Sequence, residues 1–336
     1  MKIAIIQKKY ESAVSYYRAS VPFLSLRRNY SDIMSFLIPA TGFTDDTSAG
    51  YDILFLHRPV LNEELRCIQI AKECGVGVWV DVDDLLWKIP FTNEAYLNWS
   101  RYAQQNLFSA MINADVITTS TQALADEIKI EYGRESVVIP NAWDDRQGKN
   151  REFDRSPGKT RMVYRGSNTH AGDLYTHRDA FYQFKNIEFS SLGALPWFFH
   201  KQYGGNMDTI FHESATETIL QYFSRLWEIN PHYLVFPLEP NRFNECKSNI
   251  AFIEATMYAG AVCIAPDYMP EFSRVPCLKY KNVANLKDIL YSIDIGETFG
   301  AADIHREAVS CVREMLSLSK VNETRVAICN FLMESK

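Results

Sequence analysis

The chain has 336 residues, 47% of them hydrophobic and 13% aromatic, with a formal net charge of −6. That length suits two domains of ordinary size with filled cores, and the acidic balance argues against a strong polyanion binder, although a local basic patch remains open. Seven scattered cysteines with no CxxC pair read as buried free thiols in a reducing, cytoplasmic setting; no apolar run approaches the ~20 residues of a membrane span, and the opening apolar run is too short for a signal peptide.

In chain order, Lys2 to Ile6 reads as a short buried strand that opens a doubly wound α/β domain. A polar loop with Lys8 and Lys9 leads to a helix over about Arg18 to Arg28, and Arg18, in the run YYRAS, is its candidate functional cation. Asp32 to Ile38 and Asp52 to His57 are further strands, and Glu63 to Cys74 is a helix. The strand Val78 to Val80 runs into DVDD, which contains Asp81, Asp83 and Asp84. Three readings of DVDD stay open. Clustered carboxylates suit a divalent cation. Asp83 or Asp84 caps the turn before LLW. Or Asp81 and Asp84 face a cleft at the carboxyl edge of the sheet, where they orient an acceptor or handle its proton.

A long helix over Asn93 to Ala114, a strand over Asp115 to Thr119, a helix over Gln122 to Tyr132 and a strand over Val137 to Pro140 complete the first domain, residues 1–143. Residues 144–159 are charged, carry Gly148, Pro157 and Gly158, and read as a linker. The second domain, residues 160–300, starts with a strand over Arg161 to Arg165, the loop YRGSNTHAGD and a helix over Asp173 to Phe184. A Gly-Ser turn between strand and helix suits a phosphate. Gly166 and Ser167 are its positions, with Arg165 as the charge. Ile187 to Leu192 and Met207 to Phe211 are strands, Glu217 to Ile229 is a helix, and Tyr233 to Phe236 is a buried strand.

A further helix is expected to start near Lys247 or Ser248, capped by Ser248 or Asn244, and to end at Gly260 before the strand Ala261 to Ile264. Helical spacing places Lys247 and Glu254 on one face. A cation at a helix start with a carboxylate two turns in suits a nucleoside diphosphate: phosphates at the start, ribose hydroxyls on the carboxylate. Cys277 to Tyr280 is a strand, Val283 to Ile293 a helix, and residues 301–336 end the chain in helices over His305 to Leu316 and Glu323 to Met333.

The run FNECKSNIAFIEATMYAGAVCIAPD, with VWVDVDDLLWKIP and ADVITTSTQALADEI…VVIPNAWD, resembles retaining nucleotide-sugar glycosyltransferases of the GT-B fold. The Phe-Asn-x-x-Lys-Ser helix start is similar to the variant familiar from bacteriophage and some bacterial sequences, and the Asp-x-Asp-Asp strand end resembles that of the phage-type enzymes. The resemblance implies an α/β chain of two Rossmann-like doubly wound domains with an interdomain cleft. It implies a nucleotide diphosphate sugar, UDP-linked, held by Arg165, Gly166, Ser167, Asn244, Lys247, Ser248 and Glu254, with the base near Leu195 to Trp197. Asp81, Asp84 and Arg18 fall on the catalytic and acceptor side. No bound metal and no cofactor beyond the donor are implied, and a last helix crosses back onto the first domain.

The family's first glutamate, eight residues before the ribose-binding one, is replaced by Cys246. Glu245, Asn244 or Lys247 is expected to take over its work. For the acceptor, the phage flavour suggests a hydroxymethylated base in DNA, which predicts a basic strip from Lys8, Arg18, Arg27, Arg28 and Arg58. A glycan or cell-surface polymer is the alternative, and it predicts an aromatic, neutral groove. A non-catalytic nucleotide-sugar binding module and a sugar-nucleotide epimerase are the competing classes.

Overall fold

Continuous apolar runs bounded by turn residues become parallel strands here, because such strands are covered by helices on both faces. The structure, a computed structural model, describes residues 1–7, 12–147, 151–154, 156, 158–182, 184–193, 210–214 and 218–335. Strands β1 (Lys2–Ile6), β2 (Met34–Leu37), β3 (Ile53–His57), β4 (Gly77–Val82), β5 (Val116–Thr119) and β6 (Val137–Val138) form a sheet in the order β2-β1-β3-β4-β5-β6. Strands β7 (Thr160–Gly166), β8 (Ile187–Gly193), β9 (Ile210–Glu213), β10 (Tyr233–Val235), β11 (Val262–Pro266) and β12 (Leu278–Tyr280) form a second, in the order β12-β11-β10-β7-β8-β9. All pairings are parallel. Each half is thus a doubly wound α/β sheet, and the strand order of the second reverses between β7 and β10. Open sheets of this kind place ligands in the crevice outside the carboxyl ends at such a reversal.

Several helices depart from the spacing of the sequence. The first starts at Ala13, where Ser12 Oγ accepts from Ser15 N at 3.2 Å. It passes through a π-helical stretch, Tyr16–Ser20, and continues as Val21–Asn29. The expected helix over residues 93–114 is split into Ala95–Asn98 and Arg101–Asn113. Ser100 Oγ accepts from Ala103 N at 3.1 Å and so restarts it. The helix after β7 is only Ala171–Thr176, and Arg178–Ala180 follows as a 3₁₀ turn. No helix among the described residues is long and apolar enough to cross a membrane.

The two halves exchange core residues. Tyr16 and Tyr17 pack with Phe223, Phe252 and Tyr258 of the second half, whereas Phe243 and Cys246 pack with Leu85, Leu86 and Leu124 of the first. The chain crosses between the halves twice, side by side. Trp143 N donates to Leu316 O at 2.8 Å, and Leu318 N donates to Trp143 O at 2.8 Å. After the second crossing the helix Leu318–Glu334 buries Val321, Ile328, Cys329 and Leu332 against Ile3, Phe23, Leu26 and Trp79. The preceding helix, Ala301–Met315, stays with the second half through Ala308 and Val312. The seven cysteines are free thiols.

Candidate active site

The carboxyl end of β7 carries Tyr164, Arg165 and Gly166 side by side with the end of β8, where Gly166 pairs with Gly193. Both glycines are required by close approach. A Cβ on Gly166 would collide with Tyr164 Oη, and one on Gly193, at φ +100°, would collide with the Gly166 carbonyl. Beside them opens a cavity of about 330 Å³. Its wall includes Arg165, Gly166, Ser167, His170, Tyr222 and Glu254, with Ser12 and Ala13 contributed by the first half. Four residues expected to hold the donor therefore meet in one cavity: Arg165, Gly166, Ser167 and Glu254. A larger cavity of about 390 Å³ lies at the amino edge of the same sheet, beside Asp154, His232 and Glu297. It contains none of the expected site residues.

Glu254 opens a second π-helical stretch, Glu254–Ala259. π-helical turns are rare and concentrate at functional sites; here the two described ones face each other. Tyr17 Oη, on the first, donates to Glu254 Oε1 at 3.2 Å across the seam, and Tyr222 Oη donates to Oε2 at 3.0 Å. Arg165 Nε lies 2.9 Å from Oε2, but its N–H is not aimed at the carboxylate and makes no hydrogen bond. The guanidinium also sits over the Phe236 ring at 5.0 Å. Burial raises the Glu254 carboxyl above its ordinary range, although Arg165 and the two tyrosines oppose this. Burial also holds Tyr17 and Tyr222 well above the usual phenol value, so both remain donors.

The other expected donor residues do not line this cavity. Asn241 caps a short helix, Arg242–Glu245, by accepting from Asn244 N at 2.8 Å, and the next helix starts only at Ile250. Lys247 and Ser248 lie in the link between them and do not share a helical face with Glu254. Tertiary bonds override the local spacing. Thr121 Oγ1 donates to the Cys246 carbonyl at 2.9 Å, and Asn141 Nδ2 donates to Ser248 Oγ at 2.7 Å, both from the first half. Lys247 Nζ is 3.7 Å from Asp84 Oδ1 and sits over the Phe243 ring. Asn244 is buried and donates to Asp173 Oδ1 at 2.8 Å. Cys246 is buried in the first half's core, and burial pushes its thiol up to about 12, so it is inert at neutral pH. None of Glu245, Asn244 and Lys247 reaches the cavity to stand in for the missing glutamate.

Arg18, expected to be a functional cation, and Asp81, expected to face the cleft, form a sealed pair instead. They are 1% and 2% exposed. Arg18 Nε and Nη2 donate to the two Asp81 oxygens at 3.0 and 2.6 Å, and Nη1 donates to the Ile139 carbonyl at 2.6 Å. Thr118 Oγ1 donates to Asp81 Oδ1 at 2.6 Å. Asp83 is held well below the carboxylate range: burial works against its charge, but Arg58 and His57 outweigh it. Asp84 is a quarter exposed at the seam and pairs with Arg58 and Lys247. Every carboxylate of DVDD thus faces a cationic side chain, which disfavours the metal reading. Among the described residues no group of three His, Cys, Asp or Glu is placed to hold a metal.

Sequence reasoning passed over Tyr17 in favour of Arg18, and His170 and Asp173 in favour of Gly166 and Ser167; it did not consider Tyr222. Tyr17 had a signal in its position beside Arg18. Tyr222 had none, because it sits on an ordinary amphipathic helix, Ile219–Ile229. The expected base region, Leu195 to Trp197, lies outside the described residues, as do Lys8 and Lys9.

No family model matches the chain, and no curated protein matches it. Solved structures do. A crystal structure of Anabaena HepE in complex with UDP and glucose superposes with a TM-score of 0.66 at 12% identity, covering 98% of this chain and 99% of that one. An S. aureus MnaA–UDP co-structure gives 0.55 at 11% identity, with 99% and 97% covered. A UDP-forming trehalose-phosphate synthase from Burkholderia xenovorans, in complex with glucose-6-phosphate, gives 0.54 at 12% identity, with 82% and 72% covered. The fold is GT-B.

Proposed function

We propose that the chain is a glycosyltransferase that draws on a nucleotide diphosphate sugar, UDP-linked, bound in the cavity between β7, β8 and Glu254. The observation that carries this is the meeting of Arg165 and Glu254 in a cavity at the carboxyl ends of β7 and β8, β7 being the strand next to the reversal of the sheet order. The solved neighbours with UDP in their structures support the choice of nucleotide. Glu254 accepts hydrogen bonds from the ribose hydroxyls, which replace those of Tyr17 or Tyr222. Arg165, whose N–H groups are poorly used by Glu254, turns to the diphosphate together with the Ser167 hydroxyl. As the bond between the anomeric carbon and the diphosphate oxygen breaks, its electrons pass to the diphosphate, and the Arg165 charge stabilises them. The acceptor oxygen bonds to the anomeric carbon as its O–H bond breaks, and the proton passes to the departing diphosphate oxygen. No resident cofactor or metal enters this reading.

For the acceptor, a glycan or other neutral polymer is favoured over a modified base in DNA. Arg18 is sealed and Arg58 is paired with Asp83 and Asp84, so two members of the expected basic strip are neutralised. Next to Thr92 the first half instead exposes Phe91, with Tyr96 and Tyr102 exposed further along the same segment. Thr92, in the same segment, bonds to Glu239 of the second half.

The test incubates the protein with a panel of nucleotide sugars, each with oligosaccharides and with hydroxymethylated DNA, and reads products by mass spectrometry after digestion. Transfer from a UDP-sugar to an oligosaccharide is the expected result. Transfer to the DNA alone would reverse the acceptor choice. UDP-sugar binding with no transfer and no hydrolysis would leave a binding module. Conversion of the donor without any acceptor would make it an epimerase.

A further inference from the structure

One side chain on the cavity wall has chemistry that Arg165 and Glu254 do not supply. His170 lies at the end of the Gly166–Ser167 loop and lines the cavity. Its Nδ1 is 2.8 Å from Asp173 Oδ2. Asp173 is buried and fixed from two other sides, by Glu239 N and Asn244 Nδ2, each donating to Oδ1 at 2.8 Å. Burial alone would raise the Asp173 carboxyl, but the bonds from His170 and Glu239 outweigh it and hold Asp173 below its ordinary range, so it is a carboxylate. A carboxylate accepts a hydrogen bond from Nδ1–H, which leaves Nε2 as the free edge of the ring. Below the same loop, the Tyr164 hydroxyl is buried without a partner, within contact of the Gly166 position.

We infer that His170 is a proton-uptake group for the donor: it takes up one proton when a diphosphate enters the cavity, and Nε2–H then becomes a charged donor to that diphosphate, with Asp173 as the positioning residue behind it. A neutral imidazole with Nδ1–H on Asp173 offers only a lone pair at Nε2, which repels a phosphate oxygen. A protonated one offers a charge-assisted hydrogen bond. The groups facing His170 decide when the change occurs. Burial is the largest influence and lowers its proton affinity, Asp173 raises it, and Lys247 and Arg165 lower it from the neighbouring elements; the Phe236 ring packs at 5.7 Å. The ring is therefore neutral at neutral pH before the donor arrives, and the added negative charge of the diphosphate reverses the balance. The proton comes from solvent, and no covalent bond to the sugar is involved.

This inference rests on the nucleotide-sugar reading, and the test separates the two. UDP-glucose is the probe, because its phosphates do not titrate near neutral pH. Calorimetric titrations of the full chain, in pairs of buffers with different ionisation heats, count the protons taken up. Wild type is expected to take up a proton on binding, and its affinity is expected to fall by up to about tenfold per pH unit as pH rises above neutral. His170→Gln is expected to bind more weakly, with no uptake and a flat pH dependence above neutral. His170→Lys, permanently charged, is expected to keep affinity with no uptake. Uptake that persists in His170→Gln, or binding by wild type without uptake, overturns the assignment of His170 alone. Failure of both UDP and UDP-glucose to bind wild type overturns the nucleotide-sugar reading and this inference with it. Should the variants not fold, the His170 ring-proton resonance of wild type is followed by NMR. A titration midpoint that does not rise with UDP-glucose also overturns it.

Discussion

Two of the molecule's arginine–carboxylate pairs near sheet edges, Arg18 with Asp81 and Arg165 with Glu254, have opposite characters. Each has one member on a π-helical stretch, and each carboxylate is 2% exposed. Arg18 meets Asp81 in a bidentate fork, and its remaining nitrogen is used by Ile139 and Asn141. Arg165 lies as close to Glu254, yet its Nε–H is misaligned and a cavity of about 330 Å³ opens beside it. A pair whose bonds are all made is a brace. Arg165 instead keeps a buried Nε without a hydrogen bond while the pair lines a cavity, the arrangement expected of a pair that a ligand completes.

The largest effect expected is on the sealed pair. Asp81→Ala strands Arg18 as a buried charge and is expected to cost about 3–5 kcal/mol of folding stability in denaturant titrations. The folded fraction should keep its donor affinity; a selective loss of binding at unchanged stability would make Arg18–Asp81 a site after all. Next comes Glu254→Gln, which keeps the shape and removes the charge. Donor affinity, measured with UDP by calorimetry, is expected to fall by roughly ten- to a hundredfold, the value of charged hydrogen bonds, and stability should fall less than in Asp81→Ala. Wild-type affinity in this variant would collapse the contrast between the two pairs.

A pH profile sharpens the same contrast. Burial raises the Glu254 carboxyl, so on acidification it protonates above the ordinary value near 4.3. Donor affinity is thus expected to fail on the acid side at a higher pH than a normal glutamate would give. On the alkaline side affinity should decline as His170 loses its tendency to take up a proton. A Glu254→Gln variant should lose the acid limb only. Lys247→Ala has a smaller expected effect: the diphosphate loses the attraction of a nearby charge, but protonation of His170 becomes easier, so donor affinity falls no more than a few-fold. A loss as large as that of Glu254→Gln would place Lys247 on the donor itself. The smallest expected change is with a chelator. Each carboxylate of DVDD already has a cationic neighbour, so EDTA should leave transfer unaltered, and full loss would restore the metal reading.

Much of the fold is legible in the order of the residues. The buried strands appear as apolar runs, and the helix Gln122–Tyr132 occupies the span its pattern predicts, because Thr121 caps it and Gly133, at φ 63°, ends it. Arg165, Gly166, Ser167 and Glu254 are legible as donor candidates through the loop after a strand and the motif around the glutamate. Lys247, Ser248 and Asn244 are misplaced by the same reasoning, because their helical spacing is local and the bonds that override it come from Thr121, Asn141 and Asp173, more than seventy residues away in sequence. Arg18 and Asp81 stand out as charges, but the partner of each is the other, 63 residues distant.

The sequence alone determined the alternation of strand and helix, the division into two sheets and the identity of the charged groups that had to be buried or used. These follow from periodicity and composition, which are local. Only the tertiary structure decided which charges were neutralised and which remained available. That depends on whether an arginine can aim its N–H groups at a particular carboxylate, and the answer is set by the packing of chain segments far apart in sequence.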